Sequence, residues 1–228
     1  MKIQLLNSIS PIIYEELPEH YEVGEEIAEP DAILVRSADM HAMELPAELK
    51  AIGRAGAGTN NIPVEKCAEA GIVVFNTPGA NANAVRELVI AGLLLSGRDI
   101  IGGIQWAYGL KGQGAAVAKM VEKGKNQFVG PELKGKRLGI VGMGAIGVLV
   151  ANAAVGLDMK VYGYDPFMSV DAALHLTRQV TRVDDMDTLF AECDYVTLHL
   201  PLNGQTRGMV NSTRLGMMKE GSVLLNFS

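Results

Sequence analysis

The sequence predicts an α/β chain made of two units in tandem, each built around a mostly parallel sheet. Short β-rich apolar runs alternate with segments of helical spacing, and the alternation restarts after a glycine-rich middle. KIQLL, AILVRS, LKAIGRAG and IVVFNTPG read as the strand-bearing runs of the first series, with VEKCAEAG as a helix between the last two. Asn83 is placed to cap a long connecting helix, whose residues Val85, Leu88, Val89, Gly92 and Leu95 keep one face. Gly102 to Gly114 is glycine-rich and without period; a short helix from Ala115 to Lys123 and a turn at Gly130-Pro131 follow. This stretch, about 98–130, is expected to be a domain boundary or an extended arm. The second series runs from Arg137: the strand RLGIV, a glycine turn, a helix through Ala154 and the strand KVYGYD. A polar helix around Met186 to Glu192, the strand DYVTLHL, a helix near Ser212 to Lys219 and the strand SVLLNF complete it. No internal repeat is evident.

Composition narrows the class. At 228 residues, 48% hydrophobic and 20% charged, the chain has material for a substantial core. A formal net charge of -6 argues against surfaces that collect nucleic-acid phosphates or anionic lipids, so neither partner is expected. Cys67 and Cys193 are far apart in sequence and match no ligand spacing, so neither a disulfide framework nor a metal site is expected; a reducing cytoplasm fits. MKIQLLNSIS has one Lys and too short an apolar run for a secretion signal. The apolar stretch Leu88 to Leu95 is broken by Arg98 and Asp99, well before the roughly 20 residues that a bilayer requires. A soluble protein is expected.

The sharpest motif is LGIVGMGAIG followed by MKVYGYD, where Gly142, Gly144 and Gly147 form GxGxxG between strand and helix. Gly142 would allow the tight turn, Gly144 the approach of a pyrophosphate to the backbone, and Gly147 close packing of helix on strand. The helix start would stabilise phosphate charge through its free N–H groups. Asp165 ends the next strand, where a carboxylate accepts hydrogen bonds from ribose hydroxyls and repels a 2′-phosphate; NAD is therefore preferred to NADP. Glycines alone are a weak signal, but strand, glycines, helix, strand and terminal Asp together define a Rossmann-type dinucleotide site. His199 invites a catalytic reading because imidazole is the commonest general base; His20, His41 and His175 have no supporting motif and are expected at the surface.

LVRSA, AIGRAGAGTNNI, VVFNTPGANANAVREL, LGIVGMGAIG, VYGYDP, CDYVTLHLPL and MKEGSVLLNFS occur in the order found in the D-isomer-specific 2-hydroxyacid dehydrogenases, and the chain resembles that family over nearly its whole length. The resemblance implies a flavodoxin-like substrate domain over residues 1–92 and part of a Rossmann NAD-binding domain over 93–228. It implies that Arg36, Ser37 and Arg54 contact a substrate phosphate or carboxylate, and that the loop containing Gly56, Ala57 and Gly58 offers backbone N–H groups to it, with Ala57 toward the nicotinamide. Guanidinium forks suit both anions; the plainer alternative for either arginine is a solvent-facing salt-bridge partner. Ala145 and Ile146 match positions at the pyrophosphate, while Leu200, Pro201, Phe227 and Ser228 match positions along the cofactor. The histidine matching His199 lines the sheet beside the cofactor and is not catalytic. Ala57 stands where the family usually carries a small hydroxyl residue, and Asn81 to Glu87, with Arg86, departs from a serine-rich version; both bear on fine substrate choice.

By the same resemblance, hydride moves between nicotinamide and substrate C2, assisted by an arginine, a carboxylate and a histidine that follow SVLLNFS. No catalytic residue is then expected within the 228 residues, and the chain is expected to be a C-terminally truncated form, inactive alone. The implied reaction is oxidation of 3-phosphoglycerate, opening serine synthesis, by a homodimer or tetramer assembled through the arm. Reduction of glyoxylate, hydroxypyruvate or another 2-oxo acid stays open, as does a non-catalytic NAD-binding module.

Overall fold

The computed structural model describes residues 1–228, which divide into two compact units, Met1–Asn81 and Ala82–Ser228. The first contains β1 (Lys2–Leu6), α1 (Ile13–Glu16), β2 (Glu22–Gly24), β3 (Ala32–Val35), β4 (Ala51–Arg54), α2 (Val64–Glu69) and β5 (Val73–Asn76). Its five strands lie in the order β2-β1-β3-β4-β5, every neighbouring pair parallel. Alternation along β1 sends Ile3 and Leu5 into a cluster with Ala32, onto which Ile13, Leu17 and Tyr21 pack. Central β3 is apolar throughout, as a strand covered on both sides requires; Ile33 and Val35 join Met40, Leu49, Ile52, Ile62, Cys67 and Ile72 in a second cluster beneath α2.

The second unit runs α3 (Ala82–Ser96), α4 (Ile100–Gly109), α5 (Val117–Gly124), β6 (Arg137–Val141), α6 (Ala145–Gly156), β7 (Lys160–Tyr164), α7 (Val170–His175), β8 (Thr181–Arg182), α8 (Met186–Glu192), β9 (Tyr195–Leu198), α9 (Ser212–Met217) and β10 (Val223–Asn226). Its sheet, also parallel, has the order β10-β9-β6-β7-β8. The order in which successive strands are added therefore reverses between β6 and β9, the topological switch point of a doubly wound fold. One sheet face buries Leu138, Ile140, Val161 and Tyr195 against Val89 and Leu93 of α3 and Val150, Ala151 and Ala154 of α6. The other face, with Val141, Val196 and Leu198, meets Leu189, Phe190 and Cys193 at α8. Gly139 permits this approach: a Cβ there would stand 3.1 Å from the Cys193 sulfur and 3.2 Å from Leu189 Cβ.

The α/β class and the two parallel sheets are as the sequence predicts, with three corrections. Helix α3, which a boundary at residue 92 would cut, belongs whole to the second unit, because Val89 and Leu93 are fully buried in that unit's core. Asn83 does not cap it; it lies inside the helix, and its amide donates to Glu87 Oε1 at 2.9 Å. The glycine-rich stretch after Arg98 is largely helical: Asp99 caps α4 by accepting from Gly102 N at 2.8 Å. No helix in the structure is long and apolar enough to cross a membrane.

Candidate functional site

In open α/β sheets ligands bind beyond the carboxyl ends of the strands, and the predicted site residues of both units lie at those ends. In the second unit, Gly142 leaves β6 with φ 93°, and a Cβ on it would meet His199 O at 2.6 Å. At Gly147 a Cβ would stand 2.0 Å from Gly142 O, so α6 packs on β6 only because that atom is missing. Gly144 differs from both: its φ of -78° is open to any residue and nothing lies within 4 Å of where a Cβ would be. Its lack of a side chain is therefore not required by the packing around it. Helix α6 then begins at Ala145 and Ile146 with no side-chain cap and no acidic residue in its first turn, so its positive end is free for an anion.

Asp165, just beyond β7, points back at this turn. One carboxylate oxygen accepts from Met143 N and the other from Phe167 N, both at 2.8 Å. Each oxygen keeps a lone pair for a ribose hydroxyl. Across the switch point, Leu200 lies against the Gly142 turn and Pro201 follows it at the surface. Thr206, which sequence reasoning missed, ties this segment down: its hydroxyl donates to Pro201 O at 2.6 Å and accepts from Asn203 N at 2.9 Å. Ser228 donates its hydroxyl to Leu198 O at 2.9 Å. The Phe227 ring packs on α3 at Gly92.

His199 is not built for proton transfer. Its Nε2 is 3.1 Å from the buried Thr197 hydroxyl, its Nδ1 is buried without a partner, and burial pushes its pKa down to about 4. Of the others, His41 Nε2 contacts Asn60 O, His175 lies on exposed α7 beside Asp171, and His20 stacks on Tyr21.

In the first unit, the ends of β1, β3, β4 and β5 bring together Asn7, Arg36, Ser37, Arg54, Asn76 and Thr77. Arg54 Nε donates to Arg36 O at 3.0 Å, and its guanidinium lies over Gly56, whose φ of 155° and missing Cβ make room for it. Asn76 Nδ2 donates to Ala57 O at 2.7 Å and Thr77 N to Gly56 O at 3.0 Å, shaping the loop that leads to Gly58. The salt-bridge reading of the arginines does not hold: neither Arg36 nor Arg54 is among the ion-paired residues. Asn7, Asn76 and Thr77 were not singled out from sequence, because their partners lie 19 to 31 positions away.

A phosphate-ready glycine turn, an acidic strand end and a sheet reversing between them define a dinucleotide-binding α/β protein. The comparison with known families is more specific: residues 108–228 match the model described as "D-isomer specific 2-hydroxyacid dehydrogenase, NAD binding domain". The chain belongs to the D-isomer-specific 2-hydroxyacid dehydrogenase family, whose members are NAD-dependent oxidoreductases, and its second unit carries the NAD-binding domain. It is 35% identical over 208 residues to D-3-phosphoglycerate dehydrogenase of Methanocaldococcus jannaschii, covering 90% of this chain and 37% of that protein. It is 36% identical over 228 residues to hydroxypyruvate reductase of Thermotoga maritima, covering 97% of this chain and 68% of that one. The NAD+-bound 3-phosphoglycerate dehydrogenase of Entamoeba histolytica superposes with a TM-score of 0.73 at 29% identity, covering 99% of this chain and 71% of the other. The chain thus spans little more than a third of the archaeal relative and about two thirds of the bacterial one.

Proposed function

We propose that this chain holds NAD and a 2-hydroxy acid for oxidation at the CH–OH carbon, and that the acid is 3-phosphoglycerate, converted to 3-phosphohydroxypyruvate in the first step of serine synthesis. The carrying observation is the pair Arg36 and Arg54 at adjacent strand ends, neither neutralised by a carboxylate. Two guanidinium groups beside Ser37 and the backbone of Gly56, Ala57 and Gly58 suit a substrate with both a carboxylate and a phosphate. The first unit is then the substrate domain and the second the cofactor domain.

NAD, when bound, supplies the hydride acceptor. The chain's own residues would hold it: Gly144, Ala145 and Ile146 would offer backbone to the pyrophosphate, Asp165 would accept from the adenosine ribose, and Leu200, Pro201 and the backbone of Phe227 and Ser228 would line the remainder. No histidine of the 228 stands beside a carboxylate at either strand-end cluster, so these residues bind and orient and none is assigned the proton transfer.

The hydroxypyruvate reductase relative supports a second reading, reduction of a short unphosphorylated 2-oxo acid. Calorimetric titration of the NADH-loaded chain separates them. Tighter binding of 3-phosphoglycerate than of glycerate, hydroxypyruvate or glyoxylate is expected; equal affinity for the unphosphorylated acids would overturn the phosphoglycerate assignment.

Self-association through α4 is part of the same reading. Ile101, Ile104 and Tyr108 follow helical spacing and are 63%, 53% and 77% exposed, with Val129 at 76%, more apolar surface than one short helix ordinarily leaves to water.

A further inference from the structure

We propose that Asn7 determines the polarity of the anion site, by fixing Ser37 as a hydrogen-bond donor toward the ligand. The inference rests on the reading of Arg36 and Ser37 as substrate-binding. Asn7 stands just past β1 with φ 55°, a left-handed conformation that Asn and Asp adopt more readily than other non-glycine residues. Its side-chain oxygen faces three backbone donors in succession: Arg36 N at 3.4 Å, Ser37 N at 3.2 Å and Ala38 N at 3.3 Å.

Three donors converging on one atom settle which end of the carboxamide is oxygen, since an NH2 there would oppose three N–H groups. The NH2 end must then face Ser37 Oγ, 3.2 Å away. An amide nitrogen has no lone pair to offer, so it donates and the serine oxygen accepts. The Ser37 hydroxyl hydrogen is thereby turned away from Asn7, and it finds no acceptor among the hydrogen bonds of the chain. It is available to a carboxylate or phosphate oxygen brought in by Arg36 and Arg54.

Aspartate at position 7 would differ by one group and one charge. It tolerates the same backbone and accepts the same three N–H groups more strongly, because those bonds become charge-assisted. Its second oxygen, however, would draw the Ser37 hydroxyl hydrogen toward itself, leaving serine lone pairs and a nearby negative charge to face the ligand. Asn7 is therefore a positioning residue whose amide, rather than a carboxylate, selects for an anion.

The test is a double-mutant cycle on the 228-residue chain with NADH present, using Asn7→Asp, Ser37→Ala and both together, titrated with 3-phosphoglycerate and separately with inorganic phosphate. Asn7→Asp is expected to weaken 3-phosphoglycerate at least tenfold while leaving the melting temperature unchanged or raised. In the Ser37→Ala background the same change should cost several-fold less, because only the charge remains to act. Equal losses in the two backgrounds would overturn the role assigned to the hydroxyl, and an Asn7→Asp chain that binds as tightly as wild type would overturn the inference while the phosphoglycerate reading stands. If wild type binds phosphate but not 3-phosphoglycerate, the substrate reading fails and the cycle is read from the phosphate arm. Should wild type bind neither, both fall.

Discussion

Gly144 and Gly147 belong to one motif, yet only Gly147 is required by packing, and the proposed function gives Gly144 a separate task. Alanine at 147 places a methyl 2.0 Å from Gly142 O, about 1.4 Å inside the 3.4 Å at which ordinary contact begins. That neighbour is backbone, pinned by the Gly142 N–H bond to Tyr164 O at 2.9 Å, so α6 itself must move away from β6. Overpacking of this kind costs about 1–3 kcal/mol, and Gly147→Ala should melt lower and bind NADH poorly as a consequence. Alanine at 144 meets nothing within 4 Å and occupies an ordinary backbone conformation. Its stability should stay within roughly 0.5 kcal/mol of wild type, while its methyl stands where the proposed function brings the pyrophosphate. The expected loss is at least tenfold in NADH affinity, about 1.4 kcal/mol. Urea unfolding followed by far-ultraviolet dichroism, paired with NADH titration calorimetry, reads both quantities. A Gly144→Ala chain that binds NADH like wild type, or a Gly147→Ala chain that unfolds like wild type, would refute the division.

Three further outcomes follow from the same geometry. Burial holds His199 at about 4 against an ordinary 6.5, so the unfolded chain binds the extra proton first; stability falls as pH drops from about 6.5 toward 4, by at most roughly 3 kcal/mol, and is unaffected by this group above 6.5. His199→Gln should flatten that part of the profile in urea titrations at stepped pH, and an unchanged slope would contradict it. Arg54→Lys removes the Nε bond to Arg36 O and the planar fork, so 3-phosphoglycerate affinity should drop about tenfold or more with the melting temperature little changed, as measured by calorimetry and thermal dichroism. Ile101→Glu with Ile104→Glu should convert any dimer or tetramer into monomer in sedimentation equilibrium; an unaltered mass would remove α4 from the interface.

What could be read in the sequence was what local physics fixes. KIQLL, RLGIV and DYVTLHL became strands because apolar runs bounded by turns have few other uses, and the glycine motif was legible because its three members act within six residues of one another. Helix α4 was hidden by Gly102, Gly103 and Gly109, although its start signal, Asp99 three residues before the amide it accepts from, was in plain view. Strands β2 and β8, three and two residues long, carry too little pattern to be seen and exist because a neighbouring strand offers its edge. The substrate-side cluster is legible least of all: Asn7 looks like any turn residue until the fold sets it under Arg36 and Ser37, some 30 positions on. Arg36 and Arg54 were found through resemblance, and the structure adds why they stand together, since β3 and β4 are register neighbours with Val35 paired to Arg54.

On the proposed reading Asp165 carries two duties on one side chain, with a consequence for how such a protein could change coenzyme. Accepting a 2′-phosphorylated dinucleotide calls for removing this carboxylate, yet the same oxygen that would repel the phosphate also satisfies the amide of Met143, a residue wholly shut off from water. A single exchange to a small apolar or basic residue would orphan that amide, at a cost of about 1–3 kcal/mol, before any new affinity is gained. The switch needs a compensating acceptor arriving together with it, and a chain that must change two positions at once drifts from one nicotinamide currency to the other far more slowly than a chain that needs only one.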